Sequence, residues 1–191
     1  MDKKEVSILF SDIRNFTSIS EELEPKLLIK MLNSYMEPMV ESITKHKGTL
    51  DKFIGDAIMA YFNAPLHVEN HADMAVLSAL EQIKKLKELN IILKKEFNIE
   101  LKIGIGINSG SAIVGEMGTK QRSDYTVIGD SVNIASRVED LTKNYDANII
   151  ITQETKDLLK YEYEFKELDT IVVKGKHQKI TIYEVLNNIN K

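Results

Sequence analysis

The chain has 191 residues, enough for one domain with a sizeable core, and its 43% hydrophobic and 28% charged residues argue against intrinsic disorder. Its net charge of −4 argues against a nucleic-acid-binding protein, which would carry a basic surplus or stripe. Cysteine is absent, so disulfides and thiolate metal sites are excluded.

The apolar periodicity predicts strands and helices along the whole chain. The first half contains a strand over Val6–Phe10, a helix from Pro25 to Lys47-Gly48, a β-hairpin of Thr49–Phe53 and Ala57–Phe62, and a helix over Glu69–Glu96. The second half contains a strand over Leu101–Ile107, a turn at Asn108–Gly110, a return strand over Ser111–Glu116, a loop or arm at Met117–Asp124, a strand over Tyr125–Ile128, a helix capped by Asp130 or Ser131, and elements at Asn148–Ile151, Gln153–Leu159, Phe165–Leu168 and Ile180–Val185. Pro38 interrupts the first helical pattern, so we expect a kink or break near Glu37.

The core order of strand, helix, strand, strand, helix and strand is that of the split βαβ plan. We therefore predict an α+β fold with a ferredoxin-like βαββαβ core and additional α/β elements at the C-terminal end. The sequence has no internal repeat, low-complexity tract or linker, which favours one domain over residues 1–191.

Two aspartates stand where apolar runs end. Asp12 follows the first strand, and Asp56 lies in the hairpin turn. In a ferredoxin-like sheet these strands are neighbours, so the two carboxylates can meet at one edge, where Mg²⁺ would relieve their repulsion. Taken singly, Asp12 is explained as a cap of the next turn and Asp56 as an ordinary hairpin residue.

The segment Asn15-Phe16-Thr17 directly follows the first of these aspartates. It enters a helical segment, where backbone N–H groups can hold phosphate oxygens. An ordinary capping turn explains the same three residues.

Asn133 and Arg137 are four residues apart on the helix that follows Ile128, so they share one face. Arg137 could stabilise charge on a phosphorus, and Asn133 could orient a sugar. The alternative is a solvated pair on the outer surface.

Three further side chains could contact a nucleotide. Lys52 on the hairpin can donate to a ring nitrogen, and the hydroxyl of Thr126 can accept from an exocyclic amine, so together they could select adenine. Lys174, on a late loop, could meet terminal phosphates, although a lone lysine is usually a solvated charge.

Two apparent motifs are rejected. Gly104, Gly106 and Gly110 suggest a phosphate loop, but they follow an alternating strand and its turn with no helix opening after them. His67 and His71 flank a glutamate at a spacing like that of zinc ligands, yet no third ligand follows. A polar loop entering a helix explains the histidines better.

Together, the segments Phe10–Thr17, Asp51–Asp56 and Tyr125–Arg137 resemble the motifs of class III nucleotidyl cyclases, specifically the adenylate cyclase catalytic domain. The resemblance covers about Val6 to Val185, and several independent motifs in one order carry it. It implies the nucleotidyl cyclase fold and an enzyme that converts ATP to 3′,5′-cyclic AMP and pyrophosphate. In that reaction the ribose 3′-OH attacks the α-phosphorus in line.

The resemblance also implies a role for each candidate residue. Two Mg²⁺ or Mn²⁺ ions would be held by Asp12, Asp56 and the backbone carbonyl of Ile13. The other implied roles are adenine selection by Lys52 and Thr126 with the backbone of Val127, ribose alignment by Asn133, transition-state stabilisation by Arg137, and binding of the β- and γ-phosphates by Lys174. Many relatives carry Asp instead of Thr at the second base-selecting position, and guanylate cyclases carry Glu and usually Cys at the two positions.

The family further implies a head-to-tail homodimer with two shared sites. One subunit would provide the metal aspartates and Lys52, and its partner would provide Thr126, Asn133 and Arg137. The arm at Met117–Asp124 is a candidate dimer contact. We also expect an upstream sensor in a longer, cytoplasmic protein that could be membrane-anchored. This segment itself has no signal peptide and no run of about 18 apolar residues that could span a membrane, so we expect no membrane contact by the segment.

Two alternatives remain at this point. One is a catalytically silent nucleotide-binding module that regulates a partner through dimerisation. The other is a related enzyme that makes cyclic GMP or a cyclic dinucleotide. Lys52 and Thr126 disfavour cyclic GMP, and the sequence has no Gly-Gly-Asp-Glu-Phe run typical of the cyclic dinucleotide enzymes.

Overall fold

The computed structural model describes residues 2–172 and 179–189 and consists of strands and helices in one continuous succession. The elements are β1 (Asp2–Ile13), α1 (Phe16–Glu22), α2 (Pro25–Lys45), β2 (Gly48–Ile54), β3 (Ala57–Phe62), α3 (His71–Phe97), β4 (Ile103–Gly118), β5 (Ser123–Ile128), α4 (Asp130–Tyr145), β6 (Ile149–Thr152), α5 (Gln153–Asp157), β7 (Tyr163–Val172) and β8 (Lys179–Asn188).

The strands form a single sheet in the order β2-β3-β1-β4-β6-β8-β7, and β5 pairs with the outer end of β4. All neighbouring strands are antiparallel except β4 and β6, which are parallel. The succession β1-α2-β2-β3-α3-β4 is the predicted ferredoxin-like core, and β6 to β8 are the predicted C-terminal addition. The predicted fold class is therefore confirmed.

Alternate residues of β1 point to opposite faces of the sheet, and both sets are buried in hydrophobic clusters, so both faces are covered. Leu9 and Ile13 pack in the larger core cluster, on the face covered by α2 and α3. Ile8 and Phe10 pack on the other face, with side chains of β5 and the start of α4. The first turns of α4 therefore lie on the sheet face that is opposite α2 and α3.

Of the kink or break expected near Glu37, the break is wrong. Helix α2 runs without interruption from Pro25 to Lys45. Its buried face includes Tyr35 and Met39, which flank the proline and pack in the core. Because this packing stabilises the helix on both sides of Pro38, the loss of one backbone donor does not end it.

The predicted turn at Asn108–Gly110 is also wrong, because β4 is one continuous strand. These residues pair with β1, with Asn108 opposite Ile8 and Gly110 opposite Val6. Their polar side chains are satisfied inside the protein: Asn108 Nδ2 donates to the Ser131 carbonyl at 2.9 Å, and the hydroxyls of Ser109 and Ser7 are 2.6 Å apart. Turn-forming residue types here serve tertiary hydrogen bonds instead of a turn.

The loop or arm expected at Met117–Asp124 is a β-hairpin, formed by the end of β4 and by β5. Gly118, the last residue of β4, has a φ of 152° and pairs with Ser123, and in the turn the N–H of Thr119 donates to the carbonyl of Arg122 at 2.8 Å. The hairpin extends beyond the start of β1, whose Asp2 pairs with Val114.

Within the described ranges, no helix is long and apolar enough to cross a lipid bilayer.

Candidate active site

The end of β1 and the β2–β3 turn meet at one edge of the sheet. The backbone N–H of Ile13 donates to Asp56 Oδ2 at 3.2 Å, which fixes the turn against the strand. Burial, together with the adjacent Asp56 carboxyl, raises the pKa of the Asp12 carboxyl to about 6. The structure therefore brings the two predicted carboxylates together.

The Asp12–Asp56 pair has the features of a divalent cation site. Asp12 Oδ1 is buried and has no hydrogen-bond donor among the described residues, and Oδ2 is 3.9 Å from the ammonium of Lys143. The described residues contain no cluster of three or more His, Cys, Asp or Glu side chains able to hold a metal. Two carboxylates with an open edge suit Mg²⁺, which prefers few protein ligands together with water and phosphate oxygens.

Because a carboxyl must lose its proton to bind a cation, metal binding here should depend on pH. The folded-state pKa of Asp12 is raised from 3.8 to about 6, so the metal-free protein loses stability as the pH rises through this range. We expect the affinity for Mn²⁺ to fall about tenfold per pH unit below pH 6. The increase in melting temperature caused by Mn²⁺ should therefore be small at pH 5 and larger at pH 7.5.

Differential scanning fluorimetry with and without Mn²⁺ measures this effect. Asp12→Asn is the matched control, because it keeps the side-chain shape and removes the titrating group. In that variant the Mn²⁺-dependent shift should be small at both pH values. An equal shift at pH 5 and pH 7.5 in the unmodified protein would contradict the prediction.

Arg14 was not recognised from the sequence as part of this region, yet it connects the sheet edge that carries Asp12 and Asp56 to α4. Its guanidinium donates to the carbonyls of Thr142 (3.2 Å) and Ala147 and forms a salt bridge with Asp146 Oδ1 at 3.2 Å. A cation at the C-terminal end of a helix also interacts favourably with the helix dipole. The end of β1 and the end of α4 are therefore held in one fixed arrangement.

The glycines rejected as a phosphate loop allow α4 to approach the sheet. A Cβ at Gly106 would lie 2.2 Å from the backbone nitrogen of Glu139, and one at Gly104 would lie 2.0 Å from Thr142 Oγ1. Burial, with a smaller contribution from the charge of Asp12, raises the pKa of the Glu139 carboxyl to about 7. The sequence signal for this contact was the pair of alternate glycines in a strand, which indicates close approach of another backbone.

Helix α4 presents Asn133 and Arg137 away from the sheet. The helix begins at Asp130 and its N-cap residue is Gly129, so the prediction that Asp130 or Ser131 caps it is wrong. Its buried side is formed by Ala135, Val138, Glu139 and Thr142. At about 100° per residue, Asn133 and Arg137 fall on the opposite side, and both are exposed. They therefore share one face, as predicted, but that face does not point to Asp12 of the same chain.

The base-selecting candidates lie on two strands of one chain that contact each other without pairing. Thr126 and Val127 are buried in β5, and Lys52 is exposed on β2. β2 and β5 contact each other, and the Tyr61 hydroxyl donates to the Tyr125 carbonyl at 3.4 Å. Burial, with smaller contributions from Asp51 and Tyr125, raises the pKa of Tyr61 to about 12, and Asp51 and Tyr125 are sequence neighbours of the two candidates.

This arrangement places Lys52 and Thr126 on contacting strands of one chain, whereas their division between two subunits stays a prediction. The sequence could not reveal it, because β5 reaches β2 only through the long hairpin that β4 and β5 form beyond β1. One chain can therefore supply both members of the pair.

The remaining candidates are placed as follows. Asn15 has a left-handed backbone (φ 57°) and is the N-cap of α1, whose first residues are Phe16 and Thr17. The carbonyl of Asn15 accepts from the N–H of Ile19 at 3.3 Å, so the capping turn exists. Lys174 lies outside the described residues.

The histidine pair is split by its surroundings. His71 is buried at the start of α3, and its Nδ1 lies 2.8 Å from the hydroxyl of Ser7 on β1. His67 precedes the helix and is exposed. Burial lowers the pKa of His71, as expected for an uncharged side chain within the protein.

Comparison with known proteins is consistent with this geometry. A family model described as "Adenylate and Guanylate cyclase catalytic domain" matches residues 1–187. The chain is 40% identical over 188 residues to the "Adenylate cyclase, terminal-differentiation specific" of Dictyostelium discoideum, a match that covers 96% of the chain and 9% of that protein. The chain thus spans about a tenth of the length of this curated relative.

Solved structures give the same family but differ in substrate. An adenylyl cyclase from P. aeruginosa superimposes with a TM-score of 0.91 at 36% identity, covering 99% of this chain and 97% of that one. The guanylyl cyclase Cya2 superimposes with a TM-score of 0.88 at 33% identity, covering 99% and 95%. The fold alone therefore does not distinguish an adenine from a guanine nucleotide.

Proposed function

Because the chain belongs to the family of adenylate and guanylate cyclase catalytic domains, we propose that it converts ATP to 3′,5′-cyclic AMP and pyrophosphate. The observation that carries this proposal is the pair of carboxylates at the sheet edge, where Asp56 accepts from Ile13 and one oxygen of Asp12 is buried without a donor among the described residues. Such a pair is suited to binding the divalent cations that accompany a nucleoside triphosphate.

Asp12, Asp56 and the carbonyl of Ile13 would hold two Mg²⁺ or Mn²⁺ ions. When bound, these ions lower the pKa of the ribose 3′-hydroxyl and neutralise charge on the phosphates. Lys143, at 3.9 Å from Asp12, balances part of the carboxylate charge in the metal-free protein. Next to this edge, the first backbone N–H groups of α1, at Asn15-Phe16-Thr17, would contact the phosphates.

A second copy of the chain would complete each site. Asn133 and Arg137 face away from Asp12 of their own chain, so they can serve a nucleotide bound at another chain's metal edge. In a head-to-tail homodimer, Asn133 would align the ribose and Arg137 would stabilise charge on the α-phosphoryl group in the transition state. Lys174 would bind the β- and γ-phosphates from the same subunit.

Lys52 and Thr126 would select adenine, with the backbone of Val127 beside the base. Since β2 and β5 of one chain contact each other, we assign this pair to the subunit that also provides Asn133 and Arg137. Each site then consists of a metal edge from one subunit and a base, ribose and transition-state surface from its partner.

A single experiment tests the proposal. The purified chain is incubated with Mn²⁺ and either ATP or GTP over a range of protein concentrations, and the cyclic nucleotides are quantified by chromatography. We expect cyclic AMP from ATP, with specific activity that rises with protein concentration because the active form is a dimer. Product from GTP alone would favour a guanylate cyclase, a possibility raised by the likeness to Cya2. Nucleotide binding without turnover would favour a regulatory module.

A further inference from the structure

Asp51 is a buried carboxylate with an unusual environment. Its side chain is 1% exposed, and within the described part of the chain neither carboxylate oxygen receives a hydrogen bond. The ammonium of Lys52 lies 3.2 Å from Asp51 Oδ2, and the Lys52 side chain is 49% exposed. One member of this ion pair is therefore inside the protein while the other reaches the surface.

A β-bulge makes this pair possible. In a regular strand, consecutive side chains point to opposite faces, so an aspartate cannot bind the lysine that follows it. Here Leu50 pairs with Ala60 and Lys52 with Met59, so Asp51 is the extra residue of the bulge. A bulge re-aims the side chains beside it, which lets the two groups lie on one face.

The other polar groups near Asp51 do not satisfy it. The charge of Asp51 contributes to the raised pKa of Tyr61, but the Tyr61 hydroxyl donates to the Tyr125 carbonyl at 3.4 Å. A buried carboxylate without donors is costly, and the nearby ammonium offsets that cost only while it stays in place. The carboxylate therefore restrains the position of the Lys52 side chain.

We propose that Asp51 is a positioning residue that holds the Lys52 ammonium in the direction that distinguishes adenine from guanine. This inference rests on the proposed function, in which Lys52 contacts the base. Adenine N1 accepts a hydrogen bond, whereas guanine N1 carries a hydrogen, so an ammonium fixed at N1 favours adenine. A mobile ammonium could instead reach O6 or N7 of guanine, which are both acceptors, and the preference would fall.

The first test is the ratio of kcat/KM for ATP to kcat/KM for GTP. Asp51→Asn should lower this ratio about tenfold, the scale of one hydrogen bond to a charged group. In a Lys52→Met background, Asp51→Asn should change the ratio no further. Asp2→Asn, which removes an exposed carboxylate at the start of β1, is the matched control and should leave the ratio unchanged. General damage to the fold would lower both activities together and keep the ratio.

An unchanged ratio in Asp51→Asn would overturn the inference. So would an equal fall in the presence and absence of the Lys52 ammonium, because Asp51 would then act through another group. If the unmodified protein makes no cyclic nucleotide from either substrate, the proposed function fails and the ratio cannot be measured.

A second test does not need turnover. Lys52→Met should lower the melting temperature by about 3–6 °C, because it leaves the Asp51 carboxylate buried without a cation. Adding Asp51→Asn to Lys52→Met should recover most of that loss, because no buried charge remains. Equal melting temperatures for the single and double variants would contradict the pairing, whatever the enzyme's activity.

Discussion

Arg137→Ala should reduce the turnover of ATP by about 10²–10³ and leave the fold and ATP binding intact. This is the scale seen when one preorganised donor is removed from a developing charge. Arg137 is exposed on the outer side of α4, away from the buried residues that attach this helix to the sheet, so its removal opens no cavity in the core. The loss should therefore appear in kcat, with little change in the dissociation constant for a non-hydrolysable ATP analogue.

Arg137→Lys tests whether charge alone is sufficient. A lysine keeps the positive charge but lacks the planar fork of a guanidinium, so we expect it to recover only a small part of the lost rate. Lys87→Ala, which removes an exposed cation from α3, serves as the control for a change of surface charge. Near-normal turnover by Arg137→Ala would refute the assigned role.

Mixing two inactive variants should restore activity only for particular pairs. Asp12→Ala lacks a proposed metal ligand, and Asn133→Ala lacks the proposed ribose contact. In a head-to-tail heterodimer of the two, one site receives both defects and the other receives none. The mixture should therefore recover up to about half of the activity per dimer, reduced by the homodimers that also form.

The same experiment distinguishes the two assignments of Lys52. If Lys52 and Asn133 belong to one surface, as the contact between β2 and β5 indicates, Lys52→Ala mixed with Asn133→Ala leaves every site defective. Lys52→Ala mixed with Asp12→Ala should then regain activity. Recovery by the Lys52 and Asn133 pair would restore the original division between subunits. Absence of recovery in all mixtures would argue against shared sites.

These mixtures are informative because Lys52 and Asp56 are only four residues apart in the sequence. Lys52 is exposed on β2, whereas Asp56 lies in the β2–β3 turn, where its carboxylate accepts from the N–H of Ile13. Under the proposed assignment, two residues of one hairpin would serve two different sites of the dimer. Sequence spacing does not reveal this, because it reports separation along the strand and not the surface that each side chain faces.

Local sequence patterns were sufficient where a local interaction decides the structure. Residues close in the chain were enough to predict the strand β1, the hairpin turn that contains Asp56, and the shared helix face of Asn133 and Arg137. Predictions from local sequence patterns were wrong where contacts between distant segments outweigh local preference. Pro38 lies within an unbroken helix because the residues around it are buried, and Asn108–Gly110 forms part of a strand because β1 pairs with it.

By itself, the sequence determined the α+β plan, the family and the residue types of the candidate site, since periodicity and motif order depend only on residues along the chain. Only the tertiary structure decided that Arg14 joins the end of β1 to α4, that Asp51 is buried beside Lys52, and that Arg137 faces away from Asp12. These facts depend on strand register, on a bulge and on the rotation of a helix against the sheet. Each of them is set by packing between segments that are far apart in sequence.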